Sequence, residues 1–101
     1  RMFPPVQALT RRATVDVEVA GERIAAGSRV LIVLASANRD ERVFAAPQEF
    51  SIDRFANAPE REFTGSSSIL SFGAGEHHCT GAQLARVEME VALTDLVERY
   101  R

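Results

Sequence analysis

The stretch Phe72-Gly73-Ala74-Gly75-Glu76-His77-His78-Cys79-Thr80-Gly81 constrains this chain more than any other feature. It is a glycine-punctuated loop that delivers the only thiol of the protein to the start of a helical pattern. Glycines let a backbone bend through positive φ or approach a bulky group without a Cβ clash. A cysteine just before a helix N-terminus lies at the positive end of the macrodipole, near free backbone N–H groups, and both favour thiolate. Those N–H groups can donate to the sulfur while its lone pairs bind a metal, and Phe72 supplies an apolar wall against water. The arrangement suits one soft ligand on one face of a flat metal cofactor. A structural zinc site wants four ligands, whereas the chain holds one cysteine and two adjacent histidines whose side chains diverge. Ser66, Ser67 and Ser68 lack a nearby base pattern, so a serine nucleophile finds no support.

The rest of the chain reads as three blocks ahead of that loop and one after it. Phe3-Pro4-Pro5-Val6-Gln7 is extended, because proline forbids helix and restricts its predecessor. Val15, Val17 and Val19 alternate with Asp16 and Glu18, the period-2 pattern of a half-buried strand. Ala20-Gly21-Glu22 predicts a tight turn, with Ile24 and Val30 able to pair back after Gly27. Val30 to Ala35 fits a strand or a short buried helix equally, and Asn38-Arg39-Asp40 ends it in turn residues. From Glu41 to Ser71 no period is sustained; Pro47, Pro59 and Gly65 break the stretch, and Phe44, Phe50, Phe55 and Phe63 predict a coil packed against something. From Gly81 to Tyr100, Ala85, Met89, Ala92, Leu93, Leu96, Val97 and Tyr100 share one helical face, with Arg86–Glu90 and Asp95–Arg99 as i,i+4 pairs.

Composition narrows the function classes. All 12 basic residues are arginine, so Schiff-base lysine chemistry and a phosphate-loop lysine are excluded. A formal charge of −2 with interspersed acids carries no nucleic-acid footprint. The longest apolar stretch, Val30 to Ala37, falls far short of the ~20 residues a membrane helix needs. One cysteine cannot form an internal disulfide, and Arg1-Met2-Phe3-Pro4-Pro5 carries no signal segment, so the expectation is a cytoplasmic protein without membrane contact.

Phe72, Gly75, His77, Cys79 and Gly81 match every fixed position of the haem-binding signature of the cytochrome P450 family, Phe-x-x-Gly-x-His/Arg-x-Cys-x-Gly, and Leu84-Ala85 fits its continuation. The resemblance covers the whole chain. Phe3 to Gln7, Arg11 and Asp16 to Val19 resemble the segment after the K helix of soluble bacterial members. Ala37 to Asp40, Val43-Phe44 and Pro47 to Phe55 resemble the stretch leading to the family's meander. Arg1 stands where the arginine of the K-helix Glu-x-x-Arg motif belongs.

The fold implied is an α+β fragment of the mainly α cytochrome P450 fold, with a short β-hairpin or sheet, an irregular meander, a cysteine-ligand loop and one long C-terminal helix. Residues 1–101 form a single partial domain: 1–37 extended or β, 38–71 meander-like coil, 72–81 ligand loop, 82–101 helix. The cofactor implied is haem b, with Cys79 as axial thiolate and metal ligand. Phe72 shields the sulfur, and Gly73, Gly75, Gly81 and Ala85 border the porphyrin. His77 and Arg11 meet the propionates, with Arg12 as the neighbouring alternative to Arg11. Arg1 and Arg54 belong to a structural Glu-Arg-Arg cluster, while Val6, Gln7, Ala8 and Leu9 edge the substrate pocket.

The activity implied is monooxygenation of a small organic substrate, fed by a ferredoxin-like electron donor and its reductase, with Arg86 as a candidate contact for the acidic donor. Family domains run to roughly 400 residues and include an oxygen-activating I helix that this window lacks. The 101 residues alone are therefore expected to be inactive. The alternative is a truncated, non-catalytic haem-binding or redox-sensing module.

Overall fold

The computed structural model describes residues 1–57, 62–65 and 67–100. Pro59, Ser66 and the last residue of the expected 82–101 helix lie outside them. Where a single partial domain is expected, the chain groups into two compact units, Arg1–Gln48 and Glu49–Arg101.

The first unit holds four strands in two antiparallel pairs: β1 (Leu9–Arg12), β2 (Val17–Val19), β3 (Glu22–Ile24) and β4 (Arg29–Ile32). β2 and β3 form a hairpin with Val17 opposite Ile24 and Val19 opposite Glu22. Its two-residue turn places Ala20 at φ 53° and Gly21 at φ 84°. Both values are left-handed, as a turn that follows the strand twist requires. Asp16 closes the open end: its carboxylate accepts from the Ala26 amide at 2.8 Å and from Arg23 at 2.5 Å.

Around that hairpin, β1 pairs with β4, with Leu9 opposite Ile32 and Arg11 opposite Val30. Val30 thus pairs with Arg11 rather than back onto the hairpin. The two-way reading of Val30 to Ala35 resolves by division. The strand runs to Ile32, and after Val33 one helical turn, α1 (Leu34–Ala37), begins, so the 1–37 region is not extended throughout. Val17 and Val19 are exposed, because a two-stranded ribbon with no layer on either face buries neither side.

Leu34, Phe44, Pro4 and Asn38 are buried in this unit. Asn38 caps the C-terminus of α1, its N–H donating to the Leu34 carbonyl at 2.9 Å. Its own carbonyl accepts from Arg1 at 2.6 Å, and Arg1 also donates to the Pro47 carbonyl at 2.9 Å while its guanidinium lies 5.0 Å over the Phe44 ring. Arg39 donates to the Met2 carbonyl and stacks 5.5 Å over Phe3. Two arginines thereby tie the chain's first residues to the segment after α1.

Among the described residues, the second unit holds a short 3-10 turn at Gly75–His77 and then one long helix, α2 (Ala82–Arg99). The expected packing of the phenylalanines holds unevenly: Phe55 and Phe63 are half-buried, while Phe50 is 80% exposed. Asp95 and Arg99 make the expected i,i+4 pair at 2.8 Å. Along α2, Leu84, Val87 and Val91 form a second apolar row opposite the stripe that carries Met89, Leu93 and Leu96, and both rows are exposed.

Candidate functional site

The loop from Phe72 to Cys79 is closed by its own backbone. The Cys79 N–H donates to the Phe72 carbonyl at 2.7 Å, His78 N–H to the Gly75 carbonyl at 3.1 Å, and Gly73 N–H to the Leu70 carbonyl at 3.0 Å. Gly73 sits at φ 74°, and a Cβ there would stand 3.1 Å from the His77 carbonyl oxygen. Gly75, at φ 61°, opens onto free space. The Cys79 carbonyl accepts from Ala82 N–H at 3.2 Å, which carries the chain straight into α2.

Cys79 is exposed, and Gly81 leaves room beside it: a Cβ at Gly81 would lie 3.8 Å from Sγ. Among the described residues no three His, Cys, Asp or Glu side chains gather as a metal cluster. A single soft donor with open space beside it cannot enclose a bare metal ion. It fits a metal that brings its own planar ligands, and the chain's residues match a haem in that respect. A thiolate ligand to such a group would need one sulfur and a backbone that fixes it, and the exposed Cys79 with its N–H on the Phe72 carbonyl offers both.

Phe72 is half-buried and has two ring neighbours. Phe63 lies 5.7 Å away at 43° and His78 lies 6.5 Å away at 53°. Neither neighbour is part of the sequence-predicted site. His78 in particular reads in the sequence as a residue without a role, whereas its ring is half-buried and its Nε2 is inside the protein without a hydrogen-bond partner among the described residues. The available signal is the recurrence of phenylalanine upstream of the loop, with Gln83 on α2 donating to the Phe63 carbonyl at 2.9 Å.

The remaining candidates fall in both units. His77 is exposed on the 3-10 turn, and Ala85 is half-buried on the first turn of α2, its N–H donating to Gly81 at 2.9 Å. Arg54 is half-buried and donates to the Glu49 carbonyl at 3.2 Å, clasping its own coil. In the first unit, Arg11 is exposed and its guanidinium reaches the adjacent Thr10 carbonyl, whereas Arg12 is engaged across the loop with the Gly27 carbonyl at 2.9 Å. Val6 is exposed, and Ala8 and Leu9 are half-buried. The Gln7 side chain is turned back onto the Pro4 carbonyl, and the Gln7 carbonyl holds Ala35 N–H at 3.1 Å. Arg86 is half-buried, with its Nε inside the protein and no hydrogen-bond partner for that atom among the described residues. Ser67 is structural: its hydroxyl donates to Glu62 at 2.6 Å and accepts from Ile69 N–H at 2.8 Å.

Among the described residues, no helix is long and apolar enough to cross a membrane. The family model described as Cytochrome P450 matches residues 1–101. The 20-oxo-5-O-mycaminosyltylactone 23-monooxygenase of Streptomyces fradiae is 44% identical over 91 residues, which are 90% of this chain and 19% of that protein. Cytochrome P450 109 of Bacillus spizizenii is 46% identical over 97 residues, 96% of this chain and 22% of that protein. Among solved structures, CYP109E1 from Bacillus megaterium, in complex with testosterone, matches with a TM-score of 0.81 at 40% identity, covering 96% of this chain and 24% of that one. The chain spans about a fifth of the length of the curated relatives it matches.

Proposed function

This chain belongs to the cytochrome P450 family, and on that premise we propose that it is the haem-thiolate segment of a monooxygenase. The observation that carries the reading is the exposed Cys79, pinned through its N–H to the Phe72 carbonyl at 2.7 Å and flanked by the open side of Gly81. Haem b bound there supplies the iron that activates dioxygen with two electrons and two protons, one oxygen atom going to a small organic substrate and the other to water.

The chain's own residues do the holding. Cys79 would hold the haem iron through its thiolate, fixed in place by the backbone of the 72–81 ligand loop. Phe72 excludes water from the sulfur, and Gly73, Gly75, Gly81 and Ala85 give the porphyrin a close, unobstructed floor. His77 and Arg11 would donate to the propionates, with Arg12, which holds the Gly27 carbonyl, as the neighbouring alternative to Arg11. Arg1 and Arg54 are structural, each tying down backbone carbonyls in its own unit. Val6, Ala8 and Leu9 present an apolar edge to the substrate, with Gln7 serving to shape that edge. Residues 38–71 are the meander-like coil, and α2 is the helix that follows the ligand loop. Electrons come from a ferredoxin-like donor and its reductase in the cytoplasm. The donor approaches the Cys79 side, with Arg86 as the candidate contact for its acidic surface.

The test is the absorption spectrum of the reduced, carbon monoxide-treated protein. The strongly red-shifted band of a thiolate-ligated ferrous carbonyl is expected in the wild type and its disappearance in Cys79→Ser. A wild-type band at the position of histidine or neutral-thiol ligation, or no haem, overturns the reading and leaves a non-catalytic module.

A further inference from the structure

We infer that His78 is a positioning residue, whose imidazole acts as a packing ring that wedges Phe72 against Phe63 and thereby fixes the geometry of the Cys79 ligand. The inference rests on the reading of Cys79 as the haem ligand and adds a residue that reading leaves idle. Three observations converge on it. The Phe72 ring has two ring neighbours, Phe63 at 5.7 Å and His78 at 6.5 Å, both tilted. The His78 side chain lies beside Gly65, where an added Cβ would stand at an ordinary contact distance of 3.6 Å from the His78 Cβ. Its Nε2 is buried and bonded to nothing among the described residues. A ring that packs beside Phe72 and leaves its buried nitrogen unsatisfied is held by shape rather than by polarity, because an unmade buried hydrogen bond opposes burial.

The route from ring to ligand is short. Phe72 and Cys79 share a backbone hydrogen bond of 2.7 Å, and His78 is the residue before the cysteine, with its own N–H locked onto Gly75 at 3.1 Å. Loss of a ring neighbour lets the Phe72 side chain change rotamer, and because rotamer and backbone torsions are coupled this relaxes the aim of its carbonyl at the Cys79 amide. Phe63 is anchored in turn to α2 through Gln83 at 2.9 Å, so the stack ties the ligand loop to the helix that follows it. His78 therefore acts through Phe72, not on the iron.

The experiment uses the haem-loaded protein and three substitutions at His78, with the rate at which the thiolate-type ferrous-carbonyl band converts to the neutral-thiol type on mild warming, and the haem reduction potential, as readouts. His78→Ala removes the wedge and is expected to speed conversion roughly two- to tenfold, the range one aromatic contact supplies, and to displace the potential. His78→Phe keeps the ring, drops the unsatisfied nitrogen and is expected to match or outlast the wild type. Phe63→Leu, which leaves His78 untouched, is expected to move both readouts in the direction of His78→Ala, and it decides the matter should His78→Ala fail to fold. Wild-type conversion and potential in both His78→Ala and Phe63→Leu overturn the inference. So does a His78→Phe protein that behaves like His78→Ala while His78→Gln is restored, which would mean that the nitrogen has a partner. A wild-type protein without the thiolate band fails the ligand reading instead, so the two failures are distinct.

Discussion

Gly73 and Gly81 stand on either side of the cysteine, yet a methyl group meets different things at each. At Gly73 the backbone is left-handed and the new Cβ would press to 3.1 Å on the His77 carbonyl oxygen, a backbone atom that cannot step aside. At Gly81 it would rest 3.8 Å from Sγ, an ordinary contact. Gly73→Ala is expected to destabilise the loop by about 1–3 kcal/mol, lowering the thermal midpoint of the haem-loaded protein by several degrees, whereas Gly81→Ala strains no backbone and lowers that midpoint less, through its approach to the porphyrin alone. Equal midpoints for the two variants would show that the loop relaxes around Gly73. The site was legible at this scale because its chemistry is written in consecutive residues: one thiol, three glycines and a phenylalanine at fixed spacing. Phe63 and His78 were not, since ring stacking across nine and six residues depends on how the turns fold and leaves no periodic trace.

Elements in the first unit are short, and short elements depend on local fastenings. Two-stranded ribbons are marginal in water without a covering layer, so the β2–β3 hairpin leans on its left-handed turn and on the Asp16 clip. The Asp16 carboxyl is held below its ordinary value, first by the Ala26 amide and then by Arg23. A carboxyl depressed in the folded state stabilises that state above its unfolded value near 3.8, and the contribution is lost as pH falls through the lower folded value. Amide exchange at Ala26 is therefore expected to be slow at neutral pH and to speed up, beyond the intrinsic pH trend, only in that acid range; Asp16→Ala should show the fast behaviour at every pH. Asp40, brought to about 2 by the side chain and then the backbone N–H of Arg42, follows the same sign, with its contribution fading between 3.8 and about 2. The hairpin was legible from valine alternation and Ala20-Gly21. β1 was not, because Leu9-Thr10-Arg11-Arg12 has no alternation and becomes a strand only through its register with β4. α1 was hidden inside an apolar run that periodicity cannot divide.

At the scale of the whole molecule, the decisive fact is how little apolar surface is covered. The buried apolar side chains among the described residues include Leu34, Phe44 and Ala82, while Leu84, Val87, Met89, Val91, Leu93, Leu96 and Val97 on α2 remain exposed. Ordering each backbone residue costs about 1–2 kcal/mol, and fully burying a leucine or valine side chain returns only about 1.5–3 kcal/mol. So small a core cannot offset the ordering of a chain this long. Apolar rows on opposite sides of α2 demand packing from two directions, the mark of a helix interior to a larger body rather than one lying on a surface. That demand agrees with a chain that spans about a fifth of its relatives. Prepared as the isolated 101 residues, the protein is expected to bind an apolar fluorescent dye strongly, to self-associate in sedimentation, to melt without a sharp thermal transition and to turn over no substrate. A sharp two-state transition with no dye binding would mean that α2 finds its cover within this chain, and the case for an interior helix would fall. Serine substitutions separate the two states of the helix further. In the isolated chain, Val91→Ser and Leu93→Ser should reduce dye binding, because each removes exposed apolar surface. In a protein that encloses α2 on both sides, each should instead cost about 2–4 kcal/mol, as a buried large-to-small change does. Loss at both positions, rather than at one, is the result that places apolar partners on opposite faces of the same helix.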